Sequence, residues 1–237
     1  MEYESLKTAG LTEREVYRLL TGIVVPRPIA WITTVSEDGG INLAPFSAFV
    51  ILANDPPMIG VSIGRRGADL KDTARNIKRT GQFVVNSPHL SQVELVHLSA
   101  EELPHEVSEV HTLGLTTVPS DTIDAPRLDG VSIAMECEHV QSIEFGRAKT
   151  EFFVGEVNVI HVRSGLLDNG KIDTAALEPL GRVAGPRYAG IGPVMALRGL
   201  QHTLYTERDT VPTARSGEGE LVSIEPDQPT RTSSPHE

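Results

Sequence analysis

The chain has 237 residues, 39% hydrophobic and 22% charged, with 21 glycines, 16 prolines and one cysteine, enough to bury a sizeable core as one large β-rich domain or two small ones. A formal charge of −11 argues against a general electrostatic grip on nucleic acid or on an anionic membrane, so any bound anion must be held locally. The single Cys137 excludes an internal disulfide framework and a multi-cysteine metal cage, and the acidic opening Met1-Glu2-Tyr3-Glu4-Ser5, with no apolar run near the ~18 residues of a membrane span, leads us to expect a cytoplasmic protein.

In chain order, Thr12-Glu13-Arg14-Glu15 has capping-box spacing and is followed by Val16, Leu19 and Leu20, which predicts a short helix near 13–20. "IAWITTVS" from Ile29, the turn "EDGG" at 37–40 and "INLAPFSAF" read as a hairpin, and "MIGVSIG" (58–64) as a buried strand. "ADLKDTARNIKRTG" follows with helical spacing, a start near Asp69 and Gly81 as a stop. "QFVVNSP" (82–88) reads as a strand, and "SQVELVHLSA" as a short helix with Ser91 and Glu94 at capping-box spacing.

Residues 101–127 are polar and rich in acids and proline, which predicts a surface excursion rather than core. In 131–137 the apolar residues Val131, Ile133, Met135 and Cys137 alternate with Ser132, Ala134 and Glu136, as in a half-buried strand; "EFFVGEVNVIHVRSG" (151–165) is a second long strand, with Gly155 a candidate bulge. Residues 206–237 hold no aromatic residue, four prolines, seven acids and three bases, and are expected to form a solvated tail beyond a single domain at 1–205. Short strands with brief helices, and no regular alternation of the two, predict a mainly β fold: a small antiparallel barrel with appended helices.

Hydrolase, Walker and dinucleotide-fold motifs are absent from the sequence. His97, His105 and His111 lie among Glu94, Glu101, Glu102, Glu106 and Glu109, but their spacing fits no standard metal-ligand set, and a solvated surface is the preferred reading. Cys137 sits in the apolar register of a strand, which favours an inert buried thiol.

The unit "SIGRRGADLKDTAR" (62–75) is more informative. A strand brings Ser62 and Gly64 to a loop carrying Arg65 and Arg66, and a helix opens with Lys71 and Thr73 in its first turn. Orphan amides, a helix dipole, cations and a hydroxyl in one volume make a phosphate site, although a capped helix with arginines facing water has the same spacing. In "NLAPFSAF" (42–49), Pro45 interrupts a strand and leaves backbone groups free beside Asn42 and Ser47; an irregular edge strand reads the same way.

"PRPIAWITTVSEDGGINLAPFSAF", "DPPMIGVSIG", "KDTARNI" and "FVVN", in that order, resemble the flavin reductase-like family with the FMN-binding split barrel, near its flavoredoxin branch; "GLTTVPS", "APRL", "FFVGEV" and "PLGRVAGPRYA" extend the likeness. The resemblance implies a Greek-key split β-barrel, a homodimer, noncovalent FMN and redox chemistry carried by the cofactor rather than by a catalytic side chain. It implies the isoalloxazine against Thr33, Thr34, Asn42, Leu43, Ala44, Pro45 and Ser47, and the phosphate near Ser62, Gly64, Arg65, Lys71 and Thr73. Many members carry Gly-Asp-His before the strand equivalent to "FFVGEV"; Ala148-Lys149-Thr150 stands here, which puts NADH use in question and favours tightly held FMN as an electron carrier, with NADH or NADPH kept as candidate donors.

The expected function is therefore transfer of electrons from a reduced donor, NAD(P)H or a protein, to free flavin, ferric iron or a partner. Reduction of a bound organic substrate and non-catalytic flavin binding are the alternatives.

Overall fold

The computed structural model describes residues 1–104 and 106–194. The first hairpin forms as its sequence predicts: Ala30–Val35 (β1) and Ile41–Phe46 (β2) pair antiparallel about a turn in which the Ser36 amide donates to Gly40 O at 2.8 Å. Phe49–Asn54 (β3), Pro57–Ile63 (β4), Gln82–Ser87 (β5), Ile133–Phe145 (β6) and Thr150–Val162 (β7) complete one seven-stranded sheet in the order β2-β1-β5-β6-β7-β4-β3.

The two edges of this sheet, β2 and β3, are consecutive in the chain and separated only by Ser47 and Ala48. Three peptide steps reach at most about 11 Å, whereas seven strands laid flat would separate their edges by about 29 Å. The sheet is therefore forced to curl into a barrel split between β2 and β3. The Ser62 amide of β4 donates to Ala48 O at 2.8 Å across that corner.

Ile32, Val61, Ile63, Phe83, Val85 and Phe153 fill the barrel, and helix α2 (Asp72–Thr80) adds Ala74 and Ile77 to the same core. The helix begins three residues later than its sequence suggests, because Asp69–Leu70 is taken up in a two-residue ladder with Arg65–Arg66. It ends at Gly81, whose φ of 71° is the left-handed conformation that favours glycine. Gly155 is paired opposite His139 and is not itself the bulge; the register slips just beyond it, between His139 and Gln141. Its role is close approach, since a Cβ there would lie 2.4 Å from Phe83 Cζ.

Residues 101–127 are not merely surface. Val110 of helix α4 (Glu109–Thr112) packs with Trp31, Leu43 and Val96 of helix α3 (Val93–Leu98) on the outer face of the sheet, and Ile123 and Ala125 cover Val84 and Ala134. The few apolar residues of a polar segment are spent on covering the outer face of the central strands. For the same reason the "polar" register of 131–137 is covered, and Glu136 is fully buried. The buried Trp31 indole donates to Ser99 Oγ at 2.8 Å, fixing the turn after α3 to the sheet.

The cap before α3 is His89 with Gln92, about a short 3₁₀ turn (Leu90–Gln92), rather than Ser91 with Glu94. Helix α1 (Glu13–Ile23) has the expected Thr12–Glu15 capping box but buries none of its residues. Met1–Ile191 forms one compact unit, and the expected tail at 206–237 lies outside the described residues.

Candidate functional site

Strand β2 runs straight through Pro45 rather than being interrupted by it. Leu43 turns its amide outward to Glu109 Oε2 at 3.0 Å, and Ser108 Oγ donates to Ile41 O. Alternation of the ladder makes Ile41, Leu43 and Pro45 the outward-facing row, so proline stands where its missing N–H costs no ladder bond. Helix α4 thus occupies the edge at Ile41 and Leu43, and stops short of Pro45 and Ser47. Burial pushes the Glu109 carboxyl above its ordinary range.

Thr33 and Thr34 are both fully buried on opposite faces of β1. Thr33 donates to Pro126 O at 2.6 Å and accepts from Asn86 Nδ2 at 3.2 Å on the outer side. Thr34 faces α2, where its hydroxyl accepts from Asn42 Nδ2 at 3.1 Å and Asn76 Nδ2 at 3.0 Å, and Asn42 Nδ2 also donates to Thr73 Oγ1 at 3.0 Å. Leu43 packs outward with Trp31, and Ala44 packs on the barrel interior.

The segment 62–73 carries Ser62 and Gly64 from the end of β4 into the Arg65–Arg66 ladder and on to α2. Lys71 is the N-cap of α2, in extended conformation and with no side-chain capping bond, so the first amides of the helix lack a capping side chain; among the described residues Lys71 has no carboxylate partner. Asp72 in the first turn is neutralised by Arg75. Arg65 is engaged, with Nη2 on Glu144 Oε1 at 2.9 Å, Nε on Lys149 O at 3.0 Å and Nη1 on Ala68 O at 3.3 Å. Arg66 lies 3.5 Å from Glu102. Thr73 is buried with its hydroxyl toward Asn42, leaving its backbone at the helix end.

Pro45 and Ser47 open onto a cavity of about 150 Å³ shared with Arg27, Arg182 and Tyr188. Arg27 Nε donates to Ser47 Oγ at 3.3 Å, and its Nη1 donates to Thr21 O at 2.7 Å. Arg182 and Tyr188, in the segment "PLGRVAGPRYA", are brought to Pro45 by the fold from far along the chain, and nothing local in that segment marks them as site residues.

Of the histidines among acids, His97 is a partner of Tyr188 (Nδ1 to OH, 3.2 Å), His111 lies on α4, and His105 is outside the described residues. Burial pushes the Cys137 thiol well above its usual range. A feature missed from sequence is Glu136 with His161. Burial favours the neutral acid, but the amides of Asp121 and Thr122, the Thr122 hydroxyl and His161 Nε2 at 2.6 Å together hold the carboxyl down to about 2. Asp121, Glu136 and His161 are close enough to offer three metal ligands, yet both Glu136 oxygens already accept hydrogen bonds.

The chain belongs to the flavin reductase like domain family, whose model matches residues 22–180. It is therefore a flavin-related oxidoreductase on a split barrel, with short helices appended to a mainly β fold. An uncharacterised protein of Halalkalibacterium halodurans is 42% identical over 197 residues, covering 81% of this chain and 94% of that one. The crystal structure of nitrilotriacetate monooxygenase component B from Bacillus cereus is similar at 35% identity and a TM-score of 0.80, over 83% of this chain and 100% of that one. That of Pseudomonas fluorescens 2-nitrobenzoate 2-nitroreductase is similar at 32% identity and a TM-score of 0.73, over 91% and 100%. No helix among the described residues is long and apolar enough to cross a membrane.

Proposed function

We propose that the protein holds FMN noncovalently and passes electrons from a reduced donor, NADH, NADPH or a protein, to free flavin, ferric iron or a partner enzyme. The observation that carries this reading is the start of α2: amides without a side-chain cap and a Lys71 ammonium with no carboxylate partner among the described residues, beyond the short ladder that follows Ser62 and Gly64, in an acidic chain of the flavin reductase-like family. A phosphate monoester fits that donor set in charge and in hydrogen bonding.

When bound, the flavin supplies hydride and electron transfer, which no side chain here offers. The residues around it bind and orient. Lys71 and the first amides of α2 neutralise the phosphate, with Ser62, Gly64 and the Thr73 backbone beside them. Arg65 contributes if it leaves Glu144 and the Lys149 carbonyl. The backbone of Leu43, Ala44, Pro45 and Ser47 meets the ring, and Thr33, Thr34 and Asn42 keep that strand in place by their internal hydrogen bonds. Lys149, in the triplet where many family members carry Gly-Asp-His, here uses its carbonyl to fix Arg65.

A homodimer is part of the proposal. Strand β3 leaves Val50, Ile51 and Leu52 exposed on a sheet edge, and α1 exposes Tyr17, Leu20 and Ile23, surfaces that a second copy would cover. The functional test is anaerobic addition of NADH and NADPH while flavin absorbance is followed. Bleaching with turnover supports nicotinamide-driven reduction. Bound flavin that dithionite reduces but neither nucleotide does assigns a protein donor, and flavin that no reductant bleaches contradicts the proposal.

A further inference from the structure

Glu136 and His161 form a dyad on the outer face of β6 and β7, away from the barrel interior where α2 packs, and the electron-carrier reading does not use it. The fully buried Glu136 carboxylate is fixed by the Asp121 and Thr122 amides and the Thr122 hydroxyl, and it holds His161 Nε2 at 2.6 Å. The His161 side chain is 20% exposed, and its Nδ1 makes no hydrogen bond among the described residues. A histidine oriented through one nitrogen by a carboxylate has the other free for a ligand. His161 lines a solvent-open cavity of about 570 Å³, inside the 300–1,000 Å³ range of small-molecule sites. The half-buried Arg127 and the exposed Arg163 line it too. Arg127 gives Nε and Nη2 to Pro119 O at 3.3 and 3.2 Å, which leaves Nη1; Arg163 gives only Nη2, to Ala176 O at 3.4 Å. Among the described residues no carboxylate comes within ion-pair distance of either arginine, in a chain with 32 acids against 21 bases. The exposed Asp129, also in the lining, accepts from Thr116 Oγ1 at 3.3 Å through Oδ2 and keeps Oδ1.

We infer that this cavity binds a sugar phosphate, with the phosphate on Arg127, Arg163 and His161 and the sugar hydroxyls on Asp129. Guanidinium groups whose charge no carboxylate cancels are the preferred partners of a phosphate, and their planar donor edges match its oxygens. A phosphate monoester loses its second proton at about pH 6, so one proton is available to be shared between a phosphate oxygen and His161 Nδ1. The free Asp129 oxygen accepts only, which suits a hydroxylated ligand and not a bare anion. A simple carboxylate would engage one guanidinium and leave the other, and Asp129, without a partner. This site is separate from the start of α2, where the flavin phosphate is proposed, and its binding does not rest on that reading.

The test is calorimetric titration of the purified full-length protein with ribose 5-phosphate, ribose and inorganic phosphate, flavin absorbance being recorded for every sample. Ribose 5-phosphate should bind saturably, at least about tenfold more tightly than ribose or inorganic phosphate, and should release no flavin. Arg163→Gln should weaken it by about ten- to a hundredfold, whereas Lys71→Ala should leave it unchanged. Arg127→Gln should act as Arg163→Gln does, and it decides the matter if Arg163→Gln fails to fold. Absence of ribose 5-phosphate binding, equal affinity for ribose or inorganic phosphate, or unchanged binding in either folded arginine variant overturns the inference. Loss of binding in Lys71→Ala, or release of flavin by ribose 5-phosphate, also overturns it, because the phosphate would then sit at α2. A colourless protein that gives the expected pattern keeps the inference and rejects the flavin reading.

Discussion

The side-chain amide of Asn42 donates to Thr73 Oγ1 at 3.0 Å, tying the edge strand β2 to the first turn of α2. The same nitrogen donates to Thr34 Oγ1, which also receives Asn76 Nδ2, so the strand proposed to meet the flavin ring and the helix proposed to meet its phosphate are set at a fixed distance by one small polar cluster. Asn42→Ala removes two hydrogen bonds and strands the Thr73 hydroxyl in a buried position, at a cost of about 1–3 kcal/mol. Urea denaturation should show a lowered midpoint with an unchanged slope. An unaltered midpoint would mean that the cluster is not a brace.

Lys71 and Arg65 should behave differently. Among the described residues Lys71 has no carboxylate partner, whereas Arg65 is already bonded to Glu144 and two carbonyls. Lys71→Ala should weaken FMN by about ten- to a hundredfold and leave riboflavin, which lacks the phosphate, nearly unaffected. Arg65→Ala should weaken FMN less. Fluorescence titration with both flavins measures this, and equal loss toward FMN and riboflavin would place the phosphate elsewhere.

Glu136 makes the fold acid-sensitive. Its carboxyl titrates near 2 when folded, below the ordinary value of 4.5, so the folded state binds fewer protons through that range and stability rises with pH. Its contribution, of order 3 kcal/mol, is complete above about pH 4.5 and is lost as pH falls toward 2. Glu136→Gln should be less stable than wild type at pH 6, and the difference should shrink by pH 3 in thermal melts. A constant difference across that range would contradict the assignment.

Much of the barrel was legible because β-branched runs, the turn at 37–40 and Gly81 each act locally. What was missed depends on contacts distant in sequence. The start of α2 is delayed by the Arg65–Leu70 pairing, and the burial of Glu136 needs the loop at Asp121–Thr122, which composition marks as surface. The hydroxyls of Thr33 and Thr34 are adjacent in sequence, but strand alternation sends them to opposite faces. The family motifs marked the segments at the site, the one that holds Arg182 and Tyr188 included, while the nearness of those two residues to Pro45 became visible only in the fold.

The proposed homodimer and the tail are tested together. Sedimentation should give about twice 25.6 kDa for the full chain, and removal of residues 206–237 should leave dimerisation, flavin content and melting temperature nearly unchanged. A monomer with full flavin content would reject the dimer, and loss of the dimer on truncation would assign the tail to the interface.

The most direct measurement is the visible absorption spectrum of the purified protein, followed by heat release and chromatography of whatever it carries. Flavin absorbance, with released cofactor that runs as FMN rather than FAD, is the result expected from the open end of α2 and Lys71. A colourless protein that also fails to bind added FMN would contradict the account.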